Sequence, residues 1–112
     1  MKGTHLGEFE ELVLLTVGIL YEDAHGISIQ QELEKQSARK PMISAVHKVL
    51  VRLEDKGFLT SSLGGATTER GGRRKRLYEM TPTGKKALAG SRALRNKMWD
   101  AIPQIVWEGG QI

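Results

Sequence analysis

Five cationic side chains fall within seven positions of this chain: Arg70, Arg73, Arg74, Lys75 and Arg76, with Gly71-Gly72 between the first two. Arginine hydrogen-bonds phosphate through a planar fork, and neighbouring glycines let a backbone come close to a bulky polyanion. A hairpin tip of this composition can follow a phosphate backbone or slip an arginine into a minor groove. A second group lies upstream, where Ser44, His47, Lys48 and Arg52, with Val51 among them, share one side of a helical repeat. Ser44 and His47 can donate to phosphates or base edges, while Lys48 and Arg52 supply charge. Taken singly, each group has a plainer explanation, a solvated amphipathic helix or a solvated, edge-protecting loop. Their succession along the chain favours contact with double-stranded DNA.

The elements that must position these residues are legible from periodicity. Phe9, Leu12, Val13, Thr16, Val17 and Leu20 recur at helical spacing over about 8–22, and Leu14, Leu15 and Ile19 make that helix apolar on most sides. Glu8, Glu10 and Glu11 lie in its first turn, at the positive end of the helix dipole. Gly26 is expected to form a left-handed turn. Ser28 and Gln31 have capping-box spacing for a second helix over 28–37, which Lys40-Pro41 stops. Val46, Val49, Leu50 and Leu53 give a third helix, 43–56, a single apolar face, and Gly57 ends it. A β-prone segment over 58–63, a glycine-flanked loop and a returning strand over 76–80 follow. Thr81-Pro82 has the chemistry of a helix start, and Pro103 stops that last helix. The tail, with Ile105, Val106 and Trp107, carries no assignable pattern.

Charge follows the same division. Residues 1–36 carry a net −5, residues 37–97 a net +11 and the last fifteen a net −2, for the total of +4. A basic half on one small domain suggests a polyanionic partner. Only 39% of the 112 residues are hydrophobic, so a thin core and apolar surface shared between subunits are expected. There is no cysteine, hence no thiolate metal site, disulfide or cysteine nucleophile. No apolar stretch nears the roughly 18 residues of a membrane span and no signal segment is visible, so a cytoplasmic location without membrane partners is expected.

Three stretches also resemble a known family. Leu6-Gly7-Glu8-Phe9-Glu10-Glu11-Leu12-Val13-Leu14-Leu15 is similar to the opening helix of PadR-type transcriptional regulators. The run from Ser44 to Gly57 resembles their recognition helix, and that from Glu69 to Gly84 their wing and final-helix start, the most specific part. The resemblance covers residues 6 to about 90. It implies a homodimeric winged helix, usually a repressor, completed by one C-terminal helix as in the short branch. Where the family usually has glycine and a backbone-touching tyrosine, this chain has Ala45 and His47, so its DNA site should differ in detail. Short members sometimes hold flat hydrophobic compounds at the dimer interface, which singles out Trp99 and Met98; filling the dimer core is the simpler role for Trp99.

Enzymatic readings find no support, since no GxSxG, HExxH, P-loop or dinucleotide fingerprint is present. His5, His25 and His47 lie on different elements without metal-ligand spacing, and no cofactor is expected. The expected fold is α+β and mostly helical: a winged helix-turn-helix over 1–81, a dimerisation helix over 82–103 and a tail over 104–112. The expected function is sequence-specific DNA binding by a homodimeric repressor on a palindromic operator, open to a small hydrophobic effector. Two rivals use the same features: a winged-helix module that docks an acidic protein, and a binder of small hydrophobic molecules without DNA specificity.

Overall fold

A computed structural model of the protein describes residues 5–66 and 74–109. Among them, helix α1 (Glu8–Leu20) runs into a 3₁₀ turn (Tyr21–Asp23) and is followed by α2 (Gly26–Ser37) and α3 (Ile43–Asp55). Strands β1 (Leu59–Ala66) and β2 (Arg74–Met80) come next, then α4 (Pro82–Ala101) and α5 (Gln104–Glu108). The strands pair antiparallel, Leu59 opposite Met80 through Leu63 opposite Arg76, and then Ala66 opposite Arg74. Two residues, Gly64 and Gly65, thus face one, Lys75, and the ribbon is bulged there. This is the order of a winged helix-turn-helix.

The core is where the periodic faces meet. Val13, Leu14 and Val17 of α1, Ile29 and Leu33 of α2, and Val46, Val49, Leu50 and Leu53 of α3 are buried together with Phe58 and Leu59. The hairpin is fixed to this body by backbone bonds: the Tyr78 N–H donates to Ala24 O (2.8 Å) and the Thr81 N–H to Phe58 O (3.1 Å). Thr81 caps α4 as its composition predicts, its Oγ1 accepting the Gly84 N–H at 3.0 Å. Gly84 has a packing reason, since a Cβ there would collide with the Phe58 carbonyl. The first turns of α4 can therefore lie directly on the start of the wing.

Three local expectations change. Helix α2 begins at Gly26, and Ser28 serves from its third position, its Oγ accepting the His25 N–H at 3.0 Å while donating to Asp23 O at 2.6 Å. Gly26 is helical; among the described residues the positive φ angles fall at Tyr21 (55°), Ala38 (62°) and Gly57 (81°). The bulge carries strand pairing through Gly64 and Gly65, positions that composition alone assigns to a loop. The tail left unassigned by its pattern contains the short helix α5.

Helix α4 leaves the body. Its Ala87 and Leu88 still touch the core, but every residue from Arg92 to Ala101 is exposed. The Cα radius of gyration is 17.1 Å and the extents are 60 × 32 × 22 Å. A compact chain of this length would have a radius of roughly 13 Å. The excess belongs to the distal half of α4, which extends past the body of the domain.

Candidate nucleic-acid interface

At about 100° per residue, Ser44, Lys48, Val51 and Asp55 fall within about 60° of one another on α3. They lie opposite Val46, Val49, Leu50 and Leu53, which form the buried face, and all four are exposed. Met42, the N-cap of α3, is exposed too and gives the helix no side-chain cap. In a helix-turn-helix, the second helix of the motif enters the major groove N-terminal end first. The turn before it, Ala38 to Met42, adds exposed Arg39 and Lys40 and is held by the Gln30 side chain donating to Pro41 O at 2.8 Å.

His47 and Arg52 flank that central strip, and each meets another element. The His47 ring lies over Gly26, where any Cβ would strike its Nε2; room for this imidazole is what the glycine at the start of α2 provides. Arg52 Nη1 lies 3.8 Å from Glu10 Oε2 while its side chain remains largely in solvent. The four expected recognition residues thus form a centre, Ser44 and Lys48, and two flanks tied to α2 and α1.

The wing residues divide likewise. Arg74, Lys75 and Arg76 are exposed on β2, but side chains alternate along a strand. Arg74 and Arg76 therefore share one face with Tyr78 and Met80, and Lys75 takes the other. Arg76 Nη1 donates to Ser61 Oγ at 3.0 Å, and Ser61 donates onward to Glu54 Oε2 at 2.9 Å. This chain of bonds ties the base of the wing to the end of α3. Burial, reinforced by the Glu54 charge and opposed by Arg76, pushes the Tyr78 hydroxyl pKa up. Arg70 and Arg73 lie outside the described residues.

Sequence reasoning gives Glu10 and Glu11 only to the helix dipole, and the structure gives them more. Glu10 is 5% exposed and accepts hydrogen bonds from Lys56 Nζ at 2.9 and 3.0 Å and from the Gly7 N–H at 2.7 Å. Burial pushes its carboxyl up. The Lys56 and Gly7 hydrogen bonds and the Lys56 and Arg52 charges outweigh this and hold it below its ordinary value. Glu11 accepts from Ser91 Oγ at 3.0 Å and Arg95 Nη2 at 2.8 Å. Adjacent carboxylates on α1 therefore join it to α3 and to α4. Their partners stand 46 and 84 residues away, at distances that no local spacing reports.

Met98 and Trp99 are exposed on the distal half of α4. Trp107 of α5 folds back to stack on Trp99, ring centroids 4.7 Å apart and planes at 29°. On the outer side of α1, Leu15 and Ile19 are exposed as well. Among the described residues no three His, Cys, Asp or Glu side chains are grouped to hold a metal, and no helix is long and apolar enough to cross a membrane.

With this geometry in view, the comparisons with known proteins agree among themselves. The model of the transcriptional regulator PadR-like family matches residues 14–90. A PadR-like transcription factor of Bacteroides fragilis superposes with a TM-score of 0.69 at 19% identity, over 84% of this chain and 85% of the other. A PadR family regulator of Eggerthella lenta gives 0.66 at 21% identity, over 88% and 86%. Bacillus subtilis PadR, solved in complex with operator DNA, gives 0.59 at 23% identity, over 74% of this chain and 45% of that one. At these identities the likeness is one of fold. No curated protein sequence matches the chain.

Proposed function

This chain belongs to the PadR-like family of transcriptional regulators, and from that membership we propose that it works as a homodimeric repressor on a palindromic operator. It is a DNA-binding regulator and not an enzyme. The observation that carries the reading is the exposed strip of α3, Ser44 and Lys48 at its centre with His47 and Arg52 beside it, opposite a fully buried face. Those four residues enter the major groove, and Arg70, Arg73, Arg74, Lys75 and Arg76 hold phosphates from the wing.

Dimerisation is supported by the uncovered apolar surface of α4 and α1. Leu94, Met98 and Trp99 on one and Leu15 and Ile19 on the other are the complementary faces that a second copy would bury. Two-fold symmetry then sets half-sites about one helical turn apart, and repression follows from occupying a promoter. A small hydrophobic effector that stacks on Trp99 is a second reading, favoured by the exposed indole pair; flat aromatic compounds that fail to quench indole fluorescence would remove it.

The decisive experiment is fluorescence anisotropy on the promoter of the protein's own gene, beside a scrambled duplex and an Arg73→Ala/Arg74→Ala variant. Tight binding to the promoter, weaker binding to the scramble and at least tenfold loss in the variant are expected. Affinity should also fall steeply with salt, by about 0.9 log units per phosphate contact for each decade. Equal weak binding to both duplexes at every salt concentration would reduce the site to a basic surface.

A further inference from the structure

We propose that Val51 and Met42 read the 5-methyl groups of thymines in the major groove, an inference that rests on the DNA-binding reading above. Val51 stands on the outward strip of α3, between Lys48 and Asp55 along the helix, and is 57% exposed. Met42 stands at the groove-entering end of the same helix and is 74% exposed. Exposed Arg39, Lys40, Ser44 and Lys48 are their neighbours in the turn and on the outward side of α3.

Neither side chain belongs to the buried core or packs against it as a partly buried residue. A β-branched side chain on the solvent face of a helix loses χ1 freedom and gains no packing in return. A methionine at the N-cap forgoes the hydrogen bond that Ser, Thr, Asp or Asn would supply there. Positions that go against local preference without packing compensation are where function is expected. Of the four base-pair orientations, only those containing thymine present a methyl group in the major groove, and apolar side chains recognise it by contact.

The two side chains suit that task differently. Valine, held in one rotamer, offers fixed γ-methyls at little entropic cost. Methionine adapts its flexible thioether to the base it meets. Nine residues separate them, about 13 Å along the helix, so they meet thymines on different base pairs. Ser44 and Lys48, between them, set the register by hydrogen bonding.

The test starts from a duplex selected by the full chain out of a random double-stranded library. That duplex is then synthesised with deoxyuridine in place of every thymidine, which keeps base pairing and removes only the methyl. The wild type should bind the deoxyuridine duplex about fourfold more weakly for each methyl contacted, the equivalent of ~0.8 kcal/mol per buried carbon. V51A and M42A should each lose part of that ratio, and the double variant should bind both duplexes alike. Both sites are exposed, so coincident thermal melts will show that the variants fold. Equal wild-type affinity for the two duplexes overturns the proposal. A double variant that keeps the full ratio overturns it as well, since the methyls would then act through DNA shape. Recovery of no duplex at all overturns the DNA-binding reading itself.

Discussion

Leu50 of α3 and Leu94 of α4 are the same residue type on two helices of one chain, the first fully buried and the second 58% exposed. Around Leu50, three helices and the base of the wing bring their apolar stripes to a common centre. Around Leu94, an equally helical stretch carries Met98 and Trp99 into solvent, with Trp107 as its neighbour at the far end. The body of the domain closes on itself, whereas the distal half of α4 carries apolar side chains that stay exposed among the described residues. Apolar content therefore marks two roles in this chain, folding in the body and, in the function proposed above, association along the distal half of α4.

Matched substitutions separate those functions, and the largest effect belongs to the body. Leu50→Ala should cost about 2–5 kcal/mol, because the core cannot fully collapse around the missing atoms, and chemical denaturation will read it. A loss below about 1 kcal/mol would mean that the body is not the folding unit described. The next effect sits at the junction between α1 and α3. Glu10→Gln leaves Lys56 without its ionic partner and should cost roughly 1.5–3 kcal/mol. Since the Glu10 carboxyl is held below its ordinary value of 4.5, its stabilisation is complete above that pH and is lost as pH falls through the lower folded-state value. Wild-type melting temperature should accordingly drop more steeply than that of the variant as pH falls below about 4.5. Parallel curves would deny Glu10 this role.

The smallest effect on the fold is expected at the other end. Leu94→Ala with Met98→Ala should change the stability of the isolated protomer by less than about 0.5 kcal/mol per site. The same pair should weaken self-association by about tenfold or more, because each leucine or methionine buried between subunits is worth roughly 1.5–3 kcal/mol. Sedimentation velocity across a dilution series checks the association half of this expectation, and chemical denaturation at a dilution where the protein is monomeric checks the stability half. A protein that stays monomeric with Leu94 and Met98 intact would remove the association reading. A large loss of protomer stability would instead place these side chains in a core.

Much of this division is legible in the amino-acid sequence. The stripe of Val46, Val49, Leu50 and Leu53, the Thr81-Pro82 start of α4 and the helix-ending Gly57 each follow from spacings of four residues or fewer. The same periodicity puts Ser44, Lys48 and Val51 on the outward side of α3. Positions where pattern and structure part company share a different character. Glycine commonly makes a turn, which is why composition places one at Gly26, but its role is set by His47, 21 residues on in the sequence. Composition likewise gives Gly64 and Gly65 to a loop, though a bulge lets them stay in the ribbon. The five residues of α5 are too few to show a period.

Local pattern alone specifies the elements up to α4, their order, the basic composition of the 70–76 segment and the side of α3 that remains polar, because these depend on neighbours along one turn or one strand. Which charges find a partner within the protomer is settled by the packed fold. Arg76 is engaged by Ser61, Lys56 by Glu10 and Arg95 by Glu11, partners 15, 46 and 84 residues apart. Which polar group satisfies which is a property of packing, since burial sets the distances at which a charge must find its counterpart.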